Sequence, residues 1–155
     1  MMSVEQIAKT TPVLVGAGQI VRREATDESP MQLAAEAARR ALVHTGGTGV
    51  AGAIDTLSVT RLFADSMGMP PCPFGRSNNP PRSVAQAIHA NPRHCIYGPV
   101  GGNDPQSRLI EFAQAIARGE RSVVLLCGAE AIRNQRSAQR EDRTLDWNEQ
   151  FDEKA

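Results

Sequence analysis

Short apolar, β-branched runs alternate along this chain with stretches that carry helix-start signals, and that alternation leaves few folds open. The runs predict strands near 12–18, 54–62, 94–100 and 121–127. Pro12-Val13-Leu14-Val15 and Val123-Val124-Leu125-Leu126 are nearly continuous in apolar residues. Continuous rather than alternating patterns belong to strands covered on both faces.

Between the runs lie the helices. Ser29, Pro30 and Gln32 form a capping-box spacing with proline at the first helical position. The body Met31–His44 is rich in alanine, with Leu33, Ala37, Ala41 and Ala34, Ala38, Leu42 at helical spacing, and Gly46-Gly47 follow. Ser83 predicts a shorter helix that Pro92 closes. Asp104 reads as the cap of a helix over 105–118, with Pro105 at its first position and Leu109, Phe112, Ala113 and Ile116 on one face. The expected fold class is α/β, a mostly parallel sheet with helices on its faces.

Two stretches stand outside this pattern. Residues 64–82 hold five prolines, at 70, 71, 73, 80 and 81, and read as a long irregular loop. Residues 132–155 are polar and read as a surface excursion or tail, with Trp147 and Phe151 left without local apolar company. The domain reading is therefore a single incomplete unit over 1–155. Trp147, Phe151 and the incomplete sheet predict association with a partner surface.

Composition excludes several function classes. Seventeen basic residues balance seventeen acidic ones, so no net field draws nucleic acid or an anionic bilayer. Met1–Thr11 carries Glu5 and does not read as a signal peptide, and no apolar run reaches membrane-span length. Cys72, Cys95 and Cys127 are widely spaced, without a metal-ligand or disulfide pattern, and read as reduced thiols of a cytoplasmic protein.

Three places could carry chemistry. Gly16-Ala17-Gly18 opens like a dinucleotide fingerprint but has Val21 where the third glycine belongs, which counts against a nucleotide fold. Its glycines then serve close approach of another element. At Gly98–Pro105 a strand ends, a glycine turn follows and a helix begins, so backbone N–H groups and the helix dipole converge on Gly101, Gly102 and Asn103. Cys127-Gly128-Ala129-Glu130 ends the last strand, and its apolar run makes Cys127 a buried, inert thiol. His44, His89 and His94 sit at no metal-ligand spacing and join no serine–aspartate set. No catalytic or metal residue is assigned.

Pro12–Gln19, the helix Ser29–Leu42, Ala53–Leu57, Asn79-Pro80-Pro81, Gly101–Gln106, Ile116–Glu120 and Val123–Ala131 together resemble the thiolase superfamily, in particular its acetyl-CoA acetyltransferase and sterol-carrier-type branch. The resemblance covers about residues 12–147. It implies part of a layered α/β fold built of two similar halves, an acyl-CoA thioester as substrate or ligand, no other cofactor, and a place in lipid metabolism.

It also implies a nucleophilic cysteine at the N-terminus of a helix like the one at Asp104. The family's spacing places that cysteine near Gly102, where this chain has Gly101-Gly102-Asn103. The remaining catalytic groups, in motifs of the Asn-Glu-Ala-Phe, Gly-His-Pro and Cys-Gly-Gly kind, belong to the second half and do not occur here. The expectation is an acyltransferase-family chain, inactive alone, with Gly101, Gly102 and Asn103 as substrate-binding residues. The alternative is a non-catalytic acyl-CoA-binding or scaffold subunit. The family's third strand pairs across a dimer two-fold, which makes His94–Val100 the expected seam of a homodimer or of a second chain completing the fold.

Overall fold

The structure is a computed structural model and describes residues 8–66 and 68–153. The first part of the Met1–Thr11 reading lies outside those residues.

Three parallel strands form the sheet: β1 (Thr56–Val59), β2 (His94–Tyr97) and β3 (Val124–Cys127), in the order β2-β1-β3. Among the described residues five α-helices accompany them: α1 (Pro30–His44), α2 (Val50–Ala53), α3 (Pro80–Ala87), α4 (Asp104–Ala117) and α5 (Ile132–Arg140). The chain runs from β1 through α3 to β2, then through α4 across β1 to β3. Crossovers of one hand that travel in opposite directions place α3 and α4 on opposite faces of the sheet. All three strands end on the same edge.

The central strand is the most buried. Thr56, Leu57, Ser58 and Val59 are all fully covered. Leu57 lies between Cys95 of β2 and Leu125 of β3. The main core joins it to Met31, Ala34, Ala35 and Ala38 of α1 and Val84 and Ala85 of α3. Alanines on α1 allow that helix to sit close to the sheet and to α3. Ser29 holds its start as the sequence predicts: its Oγ accepts from the Gln32 amide at 3.1 Å and the Gln32 Oε1 accepts from the Ser29 amide at 2.8 Å. Asp55 pins the entry to β1, its Oδ2 accepting from the Ser122 amide at 2.6 Å. Burial by itself would raise the Asp55 carboxyl, but the Thr56 hydroxyl and the Ser122 and Val123 amides outweigh it and hold the group below its usual range.

Several expectations are corrected. Residues 12–18 are not a ladder strand among the described residues: they run along α1, unpaired. Gly16 and Gly18 explain the route, because a Cβ there would lie 2.4 Å from the Ala41 carbonyl oxygen and 2.3 Å from the Ala37 carbonyl oxygen. The Ala17 amide donates to His44 Nδ1 at 3.0 Å. The segment is thus tied to the helix rather than to β3. The stretch 54–62 yields a four-residue strand, preceded by the short α2. The third and fourth strands stop at Tyr97 and start at Val124, shorter than 94–100 and 121–127. The short helix begins at Pro80, capped by Asn79 rather than Ser83, with the Asn79 Oδ1 accepting from the Arg82 amide at 3.1 Å. Proline is harmless in that first turn, where no intrahelical donor is needed.

The polar C-terminal stretch is also more structured than its composition suggests. It contains α5, and its tail returns to the proline-rich loop. Trp147 is 7% exposed, packed with Leu33, Ala131 and edge-on to Phe74 at 5.6 Å between ring centroids. Its indole donates to the Asp27 carbonyl at 2.9 Å. Asn78 donates to the Phe151 carbonyl and accepts from the Phe151 amide, at 2.8 and 2.9 Å. Trp147 therefore finds its partner within the chain, and the case for association no longer rests on it. No helix among the described residues is long and apolar enough to cross a membrane.

Candidate functional site

Parallel sheets expose ligand crevices at the carboxyl ends of their strands, above all where consecutive crossovers leave in opposite directions. Here that edge is the exit of β1 at Thr60-Arg61, of β2 at Gly98 and of β3 at Gly128. Small residues there let neighbouring side chains pack close. A Cβ on Gly98 would meet the Asp104 Oδ2 at 2.4 Å, and one on Gly128 would meet the Thr60 Cβ at 3.1 Å.

The glycine turn leaves this edge and is solvent-exposed from Pro99 to Asn103. Gly101 holds a φ of +156°, strained for any L side chain. Its carbonyl accepts from the Asp104 amide at 3.1 Å, which tightens the turn into α4. The amides of Gly102 and Asn103 donate to no described residue. A Cβ at Gly102 would meet nothing within 4 Å, so the space over this residue is open. Free backbone donors beside open space at the start of a 14-residue helix suit the oxygen of an acyl group.

Asp104 is not the cap. The helix begins at Asp104 itself and Asn103 takes the cap position, without a side-chain cap bond. Pro105 becomes the second helical residue, since its fixed φ suits any place in the first turn. Asp104 is 4% exposed. Its Oδ1 accepts from Arg108 Nε at 3.3 Å, while its Oδ2 is buried without a hydrogen-bond partner among the described residues. The loss of about 1 kcal/mol that accompanies deletion of an N-cap therefore does not apply to Asp104→Ala. Its carboxylate instead fills the volume that Gly98 leaves. Gly98→Ala is expected to cost about 1–3 kcal/mol by overpacking. Gly98→Ala with Asp104→Ala should recover most of that loss, and a double-mutant cycle by chemical denaturation measures the coupling. Additive effects would contradict the packing assignment.

The edge also carries residues that sequence reasoning missed. Arg61 lies over the Tyr97 ring at 4.4 Å and its Nε donates to the Gly98 carbonyl at 2.8 Å. The Tyr97 hydroxyl donates to Asp65 Oδ2 at 2.5 Å and accepts from the Leu62 amide at 3.0 Å. Arg76 reaches the other oxygen of Asp65 at 2.7 Å. Glu130 accepts from the Phe63 amide at 2.6 Å, and burial raises its carboxyl above the usual range. The signal available in the sequence was slight: a single tyrosine at the end of a strand and an arginine just past another. What joins them to Asp65 and Arg76 is the course of the 64–82 loop, which sequence patterning does not give.

All three thiols are free and partly buried. Burial pushes Cys127 up to about 12 and raises Cys72 and Cys95 as well. Cys95 and Cys127 lie within strands, in β2 and at the end of β3. Among the described residues no group of His, Cys, Asp and Glu is arranged to hold a metal ion.

No protein-family model and no curated protein matches the sequence. Among solved structures the chain is similar to a monomeric SCP2-thiolase-like protein type 1 from Mycobacterium smegmatis, with 39% identity and a TM-score of 0.65. The match covers 78% of this chain and 23% of that one, so the chain spans about a quarter of the length of the protein it resembles.

Proposed function

We propose, from the premise that this chain belongs to the thiolase-like superfamily, that it binds a CoA thioester at the Gly101–Asn103 turn and does not by itself catalyse acyl transfer. The observation that carries the reading is the turn: free amides at Gly102 and Asn103, open space over Gly102, and the positive end of α4 behind them. An acyl oxygen placed there gains backbone hydrogen bonds without displacing any side chain.

Acyl transfer needs more. Carbon–carbon bond formation or cleavage on a thioester requires a nucleophile to carry the acyl group and a base for the α-proton. The residue at the turn is glycine, and burial raises the Cys72, Cys95 and Cys127 thiols above their usual range, which disfavours the thiolate. The acetyl-CoA acetyltransferase type of reaction would thus require groups outside these 155 residues. Gly101, Gly102 and Asn103 are the substrate-binding residues in this account, and no residue here is catalytic.

A second chain, or a further polypeptide segment, completes the sheet in this reading. The outer edge of β3 has no strand beside it among the described residues. A groove of about 500 Å³ separates β3 from residues 12–18, floored by Ala41 of α1 and by Leu109 and Phe112 of α4. Val13, Leu14 and Val15 stand 68%, 83% and 59% exposed along it. Apolar, extended chain facing an open strand edge is a template for pairing. The edge of β2 is open as well, and the family resemblance favours it as a two-fold seam.

The test of binding is a calorimetric titration of the chain with acetyl-CoA. Gly102→Val adds bulk where nothing lies within 4 Å, so the fold should be unperturbed. Its affinity for acetyl-CoA is expected to fall roughly tenfold or more, equivalent to about 1.4 kcal/mol, at an unchanged Tm. Equal affinity in Gly102→Val and the unaltered chain would remove the turn from the binding site.

A further inference from the structure

A separate recess of about 560 Å³ opens on the same sheet edge, between the β1 exit and the proline-rich loop. Arg61, Asp65, Arg76 and Tyr97 line it. Its charged lining amounts to two guanidinium groups against one carboxylate. Asp65 is spoken for on both oxygens, by Tyr97 and by Arg76, and its side chain is 10% exposed. The positive charge left over is presented by the two arginines.

Their geometry is prepared for an anion. The Arg61 guanidinium sits over the Tyr97 ring and is anchored through Nε to the Gly98 carbonyl. Its terminal N–H groups donate to no described residue and can make a forked contact end-on. Arg76 uses Nη1 on Asp65 and leaves its side chain 62% exposed to the recess and solvent. Tyr97 is fixed by three contacts: the Arg61 face, the Asp65 carboxylate and the Leu62 amide. Burial, and the hydrogen bond to Asp65, raise its hydroxyl well above the ordinary phenol range, so the ring stays neutral under Arg61. An orienting network of this kind lowers the ordering cost of binding.

We propose that Arg61 and Arg76 form a receptor for one carboxylate or phosphate group, distinct from the turn that takes the acyl oxygen. The two places are neighbours, because Arg61 holds the carbonyl of Gly98, three residues before Gly101. The anionic group would belong either to the acyl moiety or to the CoA nucleotide.

The full chain is titrated at low ionic strength with succinate, with inorganic phosphate, and then with acetyl-CoA and succinyl-CoA. At least one small anion should bind. Arg76→Gln, at an exposed position expected to fold, should weaken it roughly tenfold, the value of a charge-assisted contact. Arg61→Lys keeps the charge but loses the fork, and should also weaken it. Arg136→Gln, on the exposed face of α5, removes the same charge elsewhere and should leave binding unchanged. Tighter binding of succinyl-CoA than acetyl-CoA, lost in Arg76→Gln, assigns the anion to the acyl end. Equal binding of the two, both weakened in Arg76→Gln, assigns it to the nucleotide phosphates. Failure of both small anions to bind, or equal weakening by Arg136→Gln, overturns the proposal. Acetyl-CoA binding that ignores Arg61 and Arg76 would overturn this receptor and leave the turn assignment standing. Anion binding without acetyl-CoA binding would do the reverse.

Discussion

Replacing Leu57 by alanine should destabilise the fold by between about 2 and 5 kcal/mol, a large share of the roughly 5–15 kcal/mol that holds a domain of this size. Leu57 is fully buried in the central strand, flanked by Cys95 and Leu125 and covered by the α1–α3 layer. Truncation removes its transfer free energy and leaves a cavity at a point where two neighbouring strands prevent collapse. Equilibrium denaturation in urea should show a lower midpoint at an unchanged slope. A loss under 1 kcal/mol would mean that β1 is not the centre of the core. Leu14, 83% exposed beside the groove, provides the contrast: Leu14→Ala should change the midpoint little.

Trp147→Ala should cost a comparable amount, about 3–5 kcal/mol. The indole fills the second cluster with Leu33 and Ala131, stacks edge-on with Phe74, and satisfies the Asp27 carbonyl. Its loss would also loosen the tail on the proline-rich loop, because the packing on Phe74 goes and only the backbone links from the Trp147 amide to the Phe74 carbonyl and between Glu149 and Ser77 remain. Trp147→Phe keeps most of the apolar area and loses the indole donor, so its cost should be nearer that of one hydrogen bond, about 1 kcal/mol. Limited proteolysis should show new cleavage within 141–153 in Trp147→Ala alone. If Trp147 instead served a partner surface, Trp147→Ala would leave monomer stability intact and change only association.

These two residues show what patterning could and could not reach. Leu57 was legible because a strand is written locally: Ile54, Leu57, Val59 and Leu62 set among Thr56, Ser58 and Thr60, with a proline-rich stretch beyond. The capping box at Ser29 and the proline at the start of α4 were legible for the same reason, since each acts within four residues. Gly16 and Gly18 were readable as close-approach glycines, but not the element they approach, because α1 lies more than ten residues away. Trp147 defeated local reading altogether. Its partners are Leu33, Phe74 and Asp27, and only the folded chain brings them together. The recess at Arg61 and Arg76 was hidden for a related reason: its members come from two strand exits and one irregular loop. Asp104 was misread by one residue. An Asp-Pro pair fits both the cap and the first turn, and the burial against Gly98 that decides between them is a tertiary fact.

A thiolase-like chain with glycine where the family resemblance implies the nucleophile is expected to bind a CoA thioester without turning it over. Groups that act together in catalysis fail together when one is missing, so the free amides of the turn are not expected to sustain a residual rate. The direct measurement is cleavage of acetoacetyl-CoA by the purified chain in the presence of free CoA, followed with and without prior iodoacetamide treatment, with intact-mass analysis for an acylated protein. The expected result is no turnover above background and no mass increase from acylation. Turnover that iodoacetamide abolishes, together with an acyl adduct on Cys72, Cys95 or Cys127, would contradict it.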